Sequence, residues 1–448
     1  MTDKESNGKP RLLLLTGKLS YQARSFVEAA RHVGADVLLG TDRCHQLDDP
    51  WTDSAIALHF EDPGSAAAVI AEKLAKQPVH GILALGDRPI ETAAIVARSL
   101  GLPYNSPESA ANCSSKLRQR EILREAKLRV PDFFVFSLDE PLAPVLKRVD
   151  YPCVVKPLGL AASQGVIRAN NEEEFVAAVE RNRALLASPE IQVTREPDLR
   201  RLLVERYIPG GEVAVEALLA DGKLHVLAIF DKPDPLEGPF FEETIYVTPS
   251  RLPMRVQRAI ENSLRDSVAA LGLTEGPIHA EFRIEDRTRD PWVLEIAPRP
   301  IGGLCSRTLR FGERLLSLEE LLVRHALHLG GTAGPDLVRE KLAAGVMMLP
   351  VPMSGILEKV EDVDKAAKAP GVESIEITAR LHDAIKAWPE GSSYLGFIFA
   401  RGETPGRVEK SLRRAHVMLR FTISPTLPVE NAATRKLPKS ASRRASTD

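Results

Sequence analysis

Two glutamates, Glu281 and Glu295, sit on strand-like segments that read as the arms of one hairpin, HAEFRIE over 279–285 and WVLEIAPRPIGG over 292–303. Alternation puts His279, Glu281 and Arg283 on one face of the first arm and Phe282 and Ile284 on the other. On the second arm Val293 and Glu295 share a face opposite Trp292, Leu294 and Ile296. A tight turn near 287–289 predicts Glu281 opposite Glu295, Phe282 opposite Leu294 and Ile284 opposite Trp292. The apolar pairs suit a core face, but two carboxylates directly opposite repel each other. A hard divalent cation between them removes that cost, and Mg²⁺ is typically held by one or two carboxylates together with phosphate oxygens. A solvated face that happens to carry two acids is the plainer alternative.

Four other stretches carry chemistry. PCVVKPLGLAASQGVI (152–167) delivers Lys156 at the end of a strand, before a loop of small residues that includes Gly159, Ser163 and Gly165. Small residues let backbone N–H groups approach a phosphate, and the lysine adds a compact charge. GxxxxGK[ST] is absent, and a hairpin turn beside a solvated lysine is the alternative. LVERYIPGGEVAVE (203–216) reads as strand, turn and strand; its 206–208 backbone suits an adenine edge, and Glu212 suits ribose hydroxyls. In AIFDKPDPLEGPFFEETIYVTPS (228–250), Lys232 ends a strand and the following loop carries Glu237, Glu242 and Glu243. Glu243 directly precedes the β-rich run TIYV, so it is expected to face a cleft. Arg299 lies between two prolines and before Gly302-Gly303, a fixed backbone that suits an aimed guanidinium or a structural salt bridge. No GxSxG or HExxH motif occurs. Thr16-Gly17-Lys18 after RLLLL hints at a Rossmann-like loop, without GxGxxG.

The elements that must position these groups follow from periodicity. Residues 11–110 alternate short apolar runs with amphipathic helices (21–33, 66–76, 89–100), which predicts a parallel sheet with helices on its faces. GLPYNSPESA reads as a loop into a helix over 114–127 capped by Asn112 or Ser114. From 131 to 206 a smaller α+β unit is expected, with a helix over 172–186. Paired strands EVAVEALL and KLHVLAIF, a helix over 254–271, the glutamate hairpin and a helix over 316–329 come next. Residues 333–428 form a further α+β stretch, and the Lys/Arg/Ser/Ala-rich tail from 429 is expected to be disordered.

At 448 residues the chain exceeds one ordinary core. Its 44% hydrophobic and 27% charged residues are ordinary globular values. A net charge of -2 gives no reason to expect nucleic acid. The first ten residues lack the apolar core of a signal peptide, and no run is long enough to span a membrane. Cys44, Cys113, Cys153 and Cys305 show no metal or disulfide spacing, which fits a cytoplasmic setting.

Lys116, Lys156 with its small-residue loop, the ERYIPGGE hinge, Lys232, Glu281 and Glu295 together resemble the ATP-grasp superfamily over about 11–422. FDKPDPLEGPFFEETIYVTPS and HAEFRIE…EIAPR resemble its bacterial L-amino-acid ligases of the bacilysin-synthetase type, which join two amino acids. The resemblance implies a multidomain α/β and α+β fold. A Rossmann-like pre-ATP-grasp domain (10–112) precedes an ATP-grasp region (113–332; lid 130–204, catalytic core 205–332). A C-terminal α+β portion (333–428) and the tail (429–448) follow. It implies ATP, Mg²⁺ (or Mn²⁺ in its place) and an acylphosphate. By matched position, Lys116 and Lys156 contact phosphates with help from Ser163 and Gly165, Glu205, Tyr207 and Ile208 meet the adenine, and Glu212 meets the ribose. Glu281 and Glu295 take the metal. Glu243 takes the substrate amino group and Arg299 the carboxylate and tetrahedral intermediate, with Lys232 as a third catalytic group and Tyr246, Gly302 and Gly303 beside the substrate. Ala297 stands where many ATP-grasp enzymes have a ligating Asn, and Gly303 where the bacilysin-type enzyme has Trp. Amino acids are the expected small-molecule partners, with no nucleic acid and no membrane, and a homodimer is one option. Two alternatives are carried: a biotin- or purine-type carboxylase, although no Met-Lys-Met occurs, and a nucleotide-binding regulatory protein without turnover.

Overall fold

The computed structural model describes residues 8–17, 21–42, 55–75, 77–196 and 198–425. Lys18, Cys44, the first seven residues and the basic tail lie outside them.

RLLLLT is apolar throughout because its strand, Arg11–Thr16, is covered on both faces. Leu12 and Leu14 pack with Phe26, Val27 and Leu83, whereas Leu13 and Leu15 pack with Ile70, Ile82 and Ile90. It lies in a parallel sheet ordered Ala55–Ala57, Asp36–Thr41, Arg11–Thr16, Gly81–Leu85. Helices Tyr21–His32 and Pro63–Leu74 connect these strands, and Ile90–Leu100 follows the last of them.

A second sheet is antiparallel and ordered Phe133–Ser137, Arg201–Arg206, Cys153–Pro157, Ile167–Ala169. Helix Glu172–Leu186, capped by Asn171, buries Phe175, Val179 and Leu186 against it.

The largest sheet has eight antiparallel strands. Its order is Pro291–Ala297, Gly276–Glu285, Gly210–Ala220, Lys223–Lys232, Ile245–Thr248, Ala343–Leu349, Gly396–Gly402, Val372–Ile377. Strands from beyond 333 thus complete the sheet that carries the glutamates. Helix Met254–Leu271 presents Val256, Ile260, Leu264 and Val268, a stripe at every fourth residue, to one face of the first four strands. Val213, Val215, Ala217 and Leu219 meet it from one strand, and Ile278, Ala280, Phe282 and Ile284 from the next. Period-two alternation then forces Glu212, Glu216, His279, Glu281 and Arg283 onto the opposite face.

Three local expectations need correction. PESAANCS is a helix, Pro107–Ser114, with Ser106 accepting from the Ser109 amide. The following helix is Lys116–Glu125, capped by Ser115 rather than Asn112 or Ser114. Pro at the first helical position and Ser before it form a start signal that the loop-like run GLPYNS concealed. The hairpin pairs Glu281 with Glu295 as expected, but Phe282 then pairs with Val293, Arg283 with Trp292 and Ile284 with Pro291. A bulge after Glu281 moves the register by one residue. Val293 therefore enters the core alongside Ile296, while Leu294 faces the cleft.

Candidate active site

The buried polar face of the large sheet is paired strand by strand. Lys232 and Arg283 stand opposite Glu212 on its two sides, and His279 stands opposite Glu216. Arg283 Nη1 donates to Glu212 Oε1 at 2.6 Å, and His279 Nδ1 lies 2.5 Å from Glu216 Oε1. Lys232, 2% exposed, donates to Glu243, to Glu281 at 3.1 Å and to Glu212 at 3.4 Å. Glu243 also accepts from the Tyr246 hydroxyl at 2.6 Å. Three carboxylates on one ammonium satisfy the requirement that buried charge be paired.

The protonation states follow from these contacts. Burial works against the charge on Lys232, but Glu243, Glu281 and Glu212 hold its pKa above the ordinary lysine value. Burial pushes Glu243 up to about 7, with Glu281 adding to the rise against Lys232 and Tyr246. Glu281 is also buried, yet Lys232 and His279 hold it well below the carboxylate range. Burial opposes charge on His279, but Glu216 raises it to about 9, so it is an imidazolium at neutral pH.

Glu295 lines a cleft of about 1100 Å³, whose wall also includes Lys116, Arg120, Lys156 and Asp87. The Glu281–Glu295 pair supplies hard carboxylate oxygens at a shared register position. Among the described residues there is no group of three or more His, Cys, Asp or Glu side chains arranged for a metal ion. Two carboxylates form a partial shell, which suits Mg²⁺, a cation that keeps water or phosphate oxygens, better than a transition metal.

In the same cleft wall, Lys156 Nζ lies 2.6 Å from Glu205, which Arg120 Nε also reaches at 2.6 Å. Burial depresses the Lys156 pKa and Glu205 opposes that. Lys116, at the start of its helix, donates to the Leu160 carbonyl at 2.5 Å within the small-residue loop. Ser163 and Gly165 both hold left-handed backbone there, with φ of 55° and 74°. On the hinge, the Arg206 amide donates to Asp132 O at 2.8 Å and the Tyr207 amide to Pro152 O at 3.1 Å. Within the 206–208 backbone expected to suit an adenine edge, the amides of Arg206 and Tyr207 are therefore engaged by protein. Buried Tyr207 packs with Leu236 and Phe241, and its hydroxyl accepts from Arg283 at 3.0 Å. Ile208 is buried beside it.

Arg299 does not stand alone. Its Nε donates to Asp87 at 2.6 Å, across from the loop after strand Gly81–Leu85. Burial opposes the Arg299 charge, but Asp87 raises its pKa further above the ordinary value. Asp87, Arg120, Glu216 and His279 are site residues for which sequence alone gave no role. Only the alternation of His279 with Glu281 pointed toward any of them, since their partners are 63 to 212 positions distant. Gly303 has φ +63°, and a Cβ there would lie 3.1 Å from the Phe397 ring. The space beside it is occupied by Phe397, whereas nothing lies within 4 Å of a Cβ on Gly302.

Comparison with known proteins agrees with this architecture. A family model described as ATP-grasp domain matches residues 149–308. An ATP-grasp N-terminal domain matches 27–104, and L-amino acid ligase C-terminal domain 2 matches 347–424. The crystal structure of an L-amino acid ligase from Bacillus licheniformis superposes with a TM-score of 0.78 at 26% identity, covering 93% of this chain and 99% of that one. The uncharacterized protein y4rH of Sinorhizobium fredii is 24% identical over 434 residues, 94% of this chain and 85% of its own length. The alanine–anticapsin ligase of Bacillus amyloliquefaciens is 25% identical over 309 residues, 63% of this chain and 64% of its own. Among the described residues no helix is long and apolar enough to cross a membrane.

Proposed function

We propose that this chain, which belongs to the ATP-grasp superfamily and resembles its L-amino-acid ligases, is an ADP-forming carboxylate–amine ligase that joins two L-amino acids. One observation carries the reading. The sheet face bearing Lys232, Glu212, Glu243, Glu281 and Glu295 adjoins a cleft bounded by Lys116, Lys156 and Asp87, the partner of Arg299.

In this reading a carboxylate oxygen of the first amino acid attacks the terminal phosphorus of ATP, forming an acylphosphate and releasing ADP. The neutral amine of the second then attacks the carbonyl carbon, phosphate leaves with the electron pair of the broken C–O bond, and the proton lost by the amine goes to the departing phosphate. Lys116 and Lys156 hold phosphate oxygens. Ser163 and Gly165 set the loop beside them, Glu205, Tyr207 and Ile208 bound the adenine, and Glu212 bounds the ribose. Glu281 and Glu295 would hold Mg²⁺, which when bound neutralises charge on the phosphates. Arg299 receives carboxylate charge and the developing oxyanion, and Glu243, with Tyr246 at its side, receives an amino group. Lys232 keeps Glu212, Glu243 and Glu281 in place. The work of the protein is positioning and charge compensation.

A phosphate-release screen over pairs of amino acids with Mg²⁺-ATP tests this, with mass spectrometry of the product. ADP, phosphate and a mass equal to the two amino acids less one water are expected. AMP and pyrophosphate as products, or ATP binding without release for every pair, would reject it.

A further inference from the structure

The small-residue loop over 158–166 is held from outside its own subdomain. Ala162, Ser163 and Gly165 are all left-handed. Two non-glycine residues in that region persist only when their surroundings over-determine them. Part of that restraint is local, since Asn182 of helix Glu172–Leu186 donates to the Gly165 carbonyl at 3.0 Å. Lys116 adds a tie at the Leu160 carbonyl, and two further restraints come from more than two hundred positions away. The Gly165 amide donates to Pro389 O at 2.9 Å, and Gln164 Nε2 donates to Glu390 O at 2.7 Å. The Glu390 carboxylate is gripped by Nε and Nη2 of Arg181, the latter at 2.9 Å, on the same helix as Asn182.

The segment around Glu390 is itself firmly seated. Ala384–Ile385 pairs with strand Gly355–Glu361, and buried Trp388 packs on Tyr394 with ring centroids 4.9 Å apart. Lys386 adds a second tie to the lid, 3.0 Å from Glu190. Lys386, Glu390, Gly391, Ser392 and Ser393 form part of the cleft wall, along with the loop they hold.

We infer that Glu390 is a positioning residue for the nucleotide site. Through Arg181 it fixes the Pro389 and Glu390 carbonyls against Gln164 and Gly165, so that the C-terminal portion sets the shape of the phosphate-facing loop. This rests on the nucleotide reading of that loop given above. The two carbonyls arrive already oriented by Trp388, and the carboxylate locks their distance to the helix that carries Asn182. Loosening the lock leaves both subdomain cores intact, because the pair is partly exposed, at 44% and 34%. The loop, however, loses two of its restraints.

The experiment measures ATP affinity by calorimetry, together with separate KM values for ATP and for the amino acids. It uses the full chain carrying Glu390→Ala, Arg181→Ala and the charge-exchanged Arg181→Glu/Glu390→Arg pair. Each single variant is expected to weaken ATP binding about five-fold, the scale of one partly exposed ion pair. The amino-acid KM should be unchanged, and the exchanged pair should recover part of the loss. Unchanged ATP affinity in both single variants overturns the inference. So does a parallel loss of ATP affinity, amino-acid affinity and thermal midpoint, which marks a merely structural contact. An unaltered chain that binds no ATP overturns the underlying nucleotide reading instead, a result distinguishable from either.

Discussion

Glu281 and Glu295 are direct cross-strand partners, and the hairpin register slips by one residue immediately beyond them. The bulge lets the two acids share a position on one face while Val293 and Ile296 still reach the core. If the pair holds a metal, Glu295→Ala and Glu281→Ala should each reduce turnover at least a hundred-fold at limiting Mg²⁺, with little change in the thermal midpoint for Glu295. The check is phosphate release titrated with Mg²⁺. Unaltered Mg²⁺ dependence in both variants would remove the metal role.

Lys156 and Glu205 form a buried pair that Arg120 completes. Glu205→Ala leaves two cations without their shared carboxylate, so a loss of about 3–5 kcal/mol is expected in chemical denaturation. Lys156→Met, which leaves Glu205 with Arg120, should cost less stability but weaken ATP binding in calorimetry. If Lys156→Met binds ATP as the unaltered chain does, the lysine serves the pair alone.

The His279–Glu216 pair makes stability depend on pH. The imidazole pKa is about 9 in the folded chain, above its ordinary 6.5, so folding favours the protonated form. Its contribution is fully present below about pH 6.5 and is lost as pH rises through 9, and its scale is about 3 kcal/mol. Glu243, raised to about 7 by burial, acts in the same direction between its ordinary value and neutrality. Thermal midpoints should therefore fall between pH 6.5 and 9.5, and His279→Gln should flatten that decline. An identical slope in the variant would show that the pair does not titrate in this window.

Gly303 combines a left-handed backbone with a crowded Cβ direction, and Gly302 has neither. Gly303→Ala should cost about 1–2 kcal/mol, while Gly302→Ala should lie within about 0.5 kcal/mol of the parent. Pairing Gly303→Ala with Phe397→Leu should restore the part due to crowding. Equal stabilities of the two alanine variants by urea denaturation would contradict the geometry.

Much of the fold was legible because it rests on short-range periodicity. The doubly covered strand RLLLLT, the helix Glu172–Leu186 and the helix Met254–Leu271 all follow from local pattern. So does the segregation of His279, Glu281 and Arg283 from Phe282 and Ile284, since a strand can only alternate. The Glu281–Glu295 pairing followed from the same rule plus one turn. The helix Pro107–Ser114 was missed because its signal is a single cap and proline at the end of a loop-like run.

What local pattern could not supply is the partner of each charge. Glu205 meets Arg120 and Lys156, Arg299 meets Asp87, and Gly165 meets Pro389, at separations from 49 to more than two hundred residues. A carboxylate carries no sequence mark of which cation will neutralise it. Burial requires that it be paired, but which group comes within 3 Å is decided by how the three large sheets pack. The sequence determined which residues lie on the chemical face, because side-chain alternation is a property of a single strand. Only the tertiary structure decided their protonation and their neighbours, because both depend on charges and desolvation contributed by other strands.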